Sequence, residues 1–192
     1  LMIDALLHNV AAIRANNLRL RQVDGRMSRD ELDRADLEFR SSINYDRLKT
    51  SQSFRWTLPF LEAHLAVLRE EYTTAAELLE RWLSAGFSKA PERASADAKS
   101  ELALCYAKLN RLGAAWRLVQ EVRDSKKHDT SDDEVAMIKY RCHQVADLCG
   151  HSSDAQSLYL EARQALEAHS AEQAHVANAI DRIGSPSTLG LL

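Results

Sequence analysis

Glycine and proline are scarce in this chain, with six and three among 192 residues. Short strands joined by tight turns need both, so their scarcity argues against a sandwich or barrel. Aromatic residues make up only 6% of the chain, while Ala, Leu, Glu and Arg, the residues helices favour, dominate. The expected fold class is all-α. Cysteine is sparse as well, and the three present (Cys105, Cys142 and Cys149) form an odd count. That excludes a full disulfide framework and points to a reducing compartment, with cytoplasm as the expected location. No uncharged run approaches the roughly 18 residues of a membrane span, and no cationic head with an apolar run and a cleavage site opens the chain. The net charge of −3 and the pI near 6.2 lack the electrostatic footprint of a nucleic-acid binder, so no direct nucleic-acid binding is expected. A Gly-rich phosphate loop, HExxH and GxSxG are all missing. Catalytic residues, metal ligands and cofactors are therefore not expected. A chain that begins at Leu1 rather than Met is expected to be a fragment.

What the sequence has is helix punctuation. Four stretches, Ser28 to Glu31, Thr74 to Glu77, Ser131 to Glu134 and Ser153 to Gln156, pair a hydroxyl with an acid or amide three residues on. Each reads as a capping box. Apolar residues follow at three- and four-residue spacing, as in Leu78, Leu79, Trp82 and Leu83. Helices are expected over 2–22, 29–48, 53–69, 74–85, 93–109, 112–125, 131–149, 153–168 and 171–183.

These helices repeat. Ala35, Ala75, Ala115 and Ala155 stand 40 residues apart, and Phe39, Leu79, Val119 and Tyr159 follow them at four residues. Twelve residues before the last three alanines come Ala63, Ala103 and His143. A fixed period of this size signals stacked supersecondary units, none able to bury its own face alone. The small residue marks the close approach of the two helices of a unit. The reading is a right-handed α-solenoid of about four antiparallel hairpins with an irregular first unit. It spans residues 1–183 as one domain, with 171–183 as a capping helix and 184–192 as a flexible tail or linker.

The copy Leu102, Ala103 and Tyr106 followed by Ala115, Val119 and Val122 resembles the tetratricopeptide repeat, and the resemblance covers about residues 53 to 168. The period exceeds the ~34 residues of the standard repeat, Pro59, Lys99 and Lys139 replace its early Trp, and no Pro closes each unit. Long repeats of this kind are similar to those of bacterial signalling proteins and transcription activators. The resemblance implies a protein or peptide partner held in the concave groove of the first helices. It places Phe60, Ser100 and Tyr140 in that groove at fifteen residues before each alanine, and His64, Leu104 and Gln144 at eleven before, with Lys108 and Arg141 beside them. The Lys, Asn and Arg constellation that some members use for a peptide carboxylate is missing, which disfavours a chaperone tail. An extended or helical segment anchored on Phe60, Leu104 and Tyr140 is the expected ligand.

Cys142, His143, Cys149 and His151 invite a metal. On a helix, however, His143 lies about 100° from the face shared by the two cysteines, and His151 follows Gly150. Buried apolar cysteines are the expectation. Trp56 and Trp82 are expected in the core, and Trp116 off the seam, against the next unit or exposed. Three functional readings follow: a non-enzymatic scaffold or sensor module of a cytoplasmic regulatory protein, the regulatory fragment of a larger enzyme or DNA-binding activator, and a structural oligomerisation module, including a homodimer.

Overall fold

The computed structural model describes residues 57–86, 92–124 and 132–183, together with Ser28, Asp30, Glu31, Asp33, Arg34, Leu37 and Thr50; at Thr57, Glu92, Arg93, Asp132, Asp133, Gln173 and 175–183 it describes the backbone alone. From Thr57 onward, six helices follow one another among the described residues: α1 Thr57–Leu68, α2 Tyr72–Ser84, α3 Glu92–Lys108, α4 Leu112–Asp124, α5 Asp132–Leu148 and α6 Ser152–Ile183. Among the described residues there is no strand. The all-α expectation holds, and the starts of α2 to α6 fall within two residues of the positions expected.

The turns between paired helices explain why each pair closes. After α1, Glu70 takes φ 62°, its N–H donates to the Val67 carbonyl at 2.9 Å, and the Glu71 N–H donates to the Ala66 carbonyl at 2.9 Å. After α3, Asn110 takes φ 59° and the same two bonds run to Ala107 and, from Arg111, to Tyr106. After α5, Gly150 takes φ 79° and the bonds run to Asp147 and, from His151, to Ala146. This is the Schellman ending, which satisfies the last carbonyls of one helix while turning the chain into the next. It recurs every 40 residues. Only the third copy carries the glycine that a left-handed residue favours. No neighbouring atom lies within 4 Å of a Cβ built on Gly150, so replacement by alanine would meet strain and nothing else. Gly150→Ala is expected to lose about 1 kcal/mol, and Glu70→Gly to gain about 0.5–1 kcal/mol, in urea denaturation.

These turns also correct two of the expected caps. Ser28 and Glu31 do bond reciprocally: the Ser28 N–H donates to the Glu31 carboxylate at 2.8 Å and the Glu31 N–H to Ser28 Oγ at 3.3 Å. Thr74 and Ser153, by contrast, lie inside the first turns of α2 and α6. There the preceding turn starts the helix, with the Ala75 N–H on the Glu71 carbonyl and the Ala155 N–H on the His151 carbonyl. Ser131 lies outside the described residues, as do Trp56, Ala35, Phe39, most of the two helices expected before residue 53, and the tail 184–192.

Packing follows the pairs. α1 lies on α2, α3 on α4 and α5 on α6; α3 also touches α1, α2 and α5, and α4 touches α5. Ala75, Ala115 and Ala155 are all buried, at 0%, 0% and 3% exposure, where the second helix of each pair meets its first. One apolar cluster joins α1, α2 and α3 through Phe60, Ala63, Leu79, Trp82, Leu102 and Cys105. A second joins α3, α4, α5 and α6 through Ala103, Val119, Ile138, Cys142, Val145 and Leu158. α3 belongs to both, and its many alanines let helices close on either side. Trp82 is buried as expected. Trp116 stacks on His151 of the following turn, ring centroids 3.9 Å apart.

A separate capping helix over 171–183 does not form. α6 runs 32 residues without a break, and Ser170 Oγ donates to the Leu166 carbonyl at 2.9 Å within it. No Gly or Pro interrupts the segment, so nothing in its backbone calls for a turn.

Candidate functional site

Three successive first helices meet at a group of charged side chains. α1 contributes His64, α3 contributes Asp97 and Glu101 one turn apart, and α5 contributes Arg141. His64 Nδ1 contacts Glu101 Oε2, and His64 Nε2 lies 3.7 Å from Asp97 Oδ2. Arg141 contacts Asp97 Oδ1, and one of its terminal nitrogens lies 3.7 Å from Glu101 Oε1. The Arg141 Nε–H also donates to the Met137 carbonyl at 3.3 Å. Each carboxylate thus faces the imidazole on one side and the guanidinium on the other. His64, Glu101 and Arg141 are buried, at 2%, 2% and 5% exposure, and Asp97 is half-buried. Charges removed from water persist only when other charges and hydrogen bonds replace the lost hydration, and here each acid has a basic group within reach. The Cys105 thiol, one turn beyond Glu101, is pushed up from its usual range by burial and by that carboxylate.

The seven residues expected to line the groove divide into two sets. Phe60 is buried between the rings of His64 and Trp82, at 4.2 and 5.2 Å between centroids. Leu104 is buried in the second apolar cluster, and His64 and Arg141 in the charged group. α3 approaches both α1 and α5, and side chains on the facing sides are covered. Lys108 remains exposed at the end of α3, and Tyr140 and Gln144 are half-buried on α5. Solvent therefore reaches Lys108, Tyr140 and Gln144, whereas the other four residues are buried where helices meet. Asp97 and Glu101 were not anticipated. Their signal was present: two acids at i and i+4 on a helix of Ala, Ser and Cys neighbours too short to cover them must find partners on another helix.

A second group lies at the end of the last pair. Tyr140, His143 and Tyr159 form a row of rings, with centroids 5.8 Å apart for the first two and 5.4 Å for the last two, and His143 Nδ1 sits 3.0 Å from the Ala155 carbonyl oxygen. Beside them Lys139 donates to Glu161 at 2.7 Å, as Lys99 does to Glu121 at 2.8 Å forty residues earlier. The Lys139 hydrogen bond holds the Glu161 carboxyl below its usual range against the opposing effect of burial. The four residues weighed for a metal take separate neighbours. The Cys142 thiol is buried and pushed up to about 11 by that burial, Cys149 Sγ lies 3.5 Å from the Leu112 carbonyl oxygen, His143 meets the Ala155 carbonyl, and His151 stacks on Trp116. Among the described residues no group of three or more His, Cys, Asp or Glu is placed to hold a metal ion, and no helix is long and apolar enough to cross a membrane.

Comparison of the chain with protein-family models, with curated proteins and with solved structures found no match.

Proposed function

We propose that this chain is a tetratricopeptide-like helical array that binds a protein or peptide segment along the layer formed by α1, α3 and α5, as a scaffold or sensor module of a regulatory protein. The observation that carries this reading is the 40-residue recurrence of one turn, at Glu70, Asn110 and Gly150, with a buried alanine five residues after each. A periodic array has a continuous surface built from equivalent helices, which suits an elongated ligand. Lys108, Tyr140 and Gln144 supply a cation, an aromatic ring and an amide at the solvent side of that surface. The charged group of His64, Asp97, Glu101 and Arg141 beneath them keeps the helices in fixed register, so a ligand meets a pre-organised face and loses less entropy on binding.

Selection of binders from a displayed peptide library would test this. Tyr140→Ala is expected to weaken a selected peptide by about tenfold or more, the loss typical of an aromatic anchor, while far-ultraviolet circular dichroism stays unchanged. Loss of helicity would place Tyr140 in the core, and undiminished binding would remove this layer from the interface.

A further inference from the structure

His64 turns both of its ring nitrogens toward acids of α3. Nδ1 contacts Glu101 Oε2 and Nε2 lies 3.7 Å from Asp97 Oδ2, on a side chain that is 3% exposed. A neutral imidazole carries one N–H and one lone pair, so whichever nitrogen holds the proton, the other aims its lone pair at a carboxylate oxygen. An imidazolium presents an N–H to each acid and removes that repulsion.

The surroundings act on that extra charge in both directions. Burial opposes it, and so does the Arg141 guanidinium of α5. Arg141, however, engages the opposite oxygen of each acid, Asp97 Oδ1 and, at 3.7 Å, Glu101 Oε1, so the ring meets the two carboxylates first and the like charge beyond them. α2 approaches this side of α1 through the Trp82 ring, across Phe60, whose ring stands edge-on to the imidazole at 4.2 Å and brings no charge. α3 adds one more titratable group, the Cys105 thiol, which burial and Glu101 keep protonated.

We propose that the folded chain holds His64 as an imidazolium at neutral pH, so that one proton clamps α1 to α3 and a rise in pH releases the clamp. A histidine in an unfolded chain gives up its proton near pH 6.5. With the folded value raised above that, the proton's contribution to stability is complete below about pH 6.5 and is lost as pH climbs through the folded value. Arg141 keeps its charge throughout, so the side of the group that joins α3 to α5 stays closed. The device therefore loosens α1 on α3 and leaves the later pairs packed. It stands on the charged group alone and is independent of peptide binding.

Urea denaturation of the full chain between pH 5.5 and 7.5 tests it. This window lies above the titration of most carboxylates and below the range in which the buried Cys105 and Cys142 thiols, ionising only on unfolding, would add a loss of the same sign. The unfolding constant is expected to rise about fivefold or more across the window, as a gap of about one unit between folded and unfolded histidine gives. His64→Gln is expected to abolish the rise. A histidine buried in its neutral form has the opposite sign, so a constant that stays level or falls, or a rise that persists in His64→Gln, would overturn the proposal. Should His64→Gln fail to fold, nuclear magnetic resonance of the unaltered protein decides. Of its seven histidines, one is expected to stay imidazolium up to about pH 7.5 and to lose its proton earlier in Asp97→Asn. Ring signals that all titrate at or below about pH 6.5, or a raised one that Asp97→Asn leaves in place, would equally sink it.

Discussion

Replacing Arg141 by alanine is expected to cost about 3–5 kcal/mol of folding stability, the usual penalty for removing one partner of a buried ion pair. The side chain is 5% exposed and contacts Asp97, with Glu101 at 3.7 Å. Without it the Asp97 and Glu101 carboxylates lose their guanidinium, and Glu101 loses it where water hardly reaches. Much of the loss is the cost of leaving acid groups unmatched, so it exceeds the net worth of the pair itself. Against a typical total of 5–15 kcal/mol this is a large fraction, visible in urea denaturation as a lower midpoint with little change of slope. Arg141→Met tests the electrostatic origin, since it keeps apolar bulk and is expected to lose nearly as much. The double variant Arg141→Met with Glu101→Gln is expected to lose less than the two single losses added together. Lys139→Ala provides the contrast. Its bond to Glu161 joins two half-buried groups, and the expected change is below about 1 kcal/mol. A loss of that small size for Arg141→Ala would mean that water enters the group and that it does not hold the helices in register.

The same residues show how far the sequence could be read. Periodicity was legible because alanines at 75, 115 and 155 face a neighbouring helix in each pair, and close approach tolerates little else there. The turns were not, because Glu70 and Asn110 adopt the left-handed conformation without glycine to mark it. Thr74 and Ser153 then looked like helix starts, although the backbone had already entered the helix two residues earlier at Tyr72 and one residue earlier at Ser152. The partner-facing surface was legible only in part, for a similar reason. Polar residues on helices are usually exposed, and the register of the tetratricopeptide resemblance puts His64 and Arg141 at an open groove. Their burial depends on Asp97 and Glu101, which are distant in sequence from both, and pairing across 33 to 44 residues leaves no local pattern. The unbroken α6 was hidden differently: a separate capping helix was expected over 171–183, but without a Gly or Pro the backbone has no breaker at which to turn.

Enlarging Ala115 to leucine is expected to destabilise the protein by about 1–3 kcal/mol, through overpacking rather than loss of any bond. Ala115 is fully buried in the cluster that holds Val119, Cys142 and Val145, at the start of α4 where it meets α3. Three added carbons at that crossing must either move a helix or force side chains out of their preferred rotamers. If the 40-residue period reflects equivalent packing, Ala75→Leu and Ala155→Leu should lose similar amounts, because each sits five residues after the same turn. Gly113→Ala, two residues away in α4, is expected to move the other way by up to about 1 kcal/mol: no atom lies within 4 Å of the added Cβ, and alanine favours the helix. Thermal and urea denaturation of the four variants separates the possibilities. Losses confined to Ala115 would mean that the spacing coincides without shared geometry. Losses at all three, beside a gain at Gly113, would show that the second helix of every pair is held by the same close contact, and that the small residue, more than any apolar one, carries the repeat.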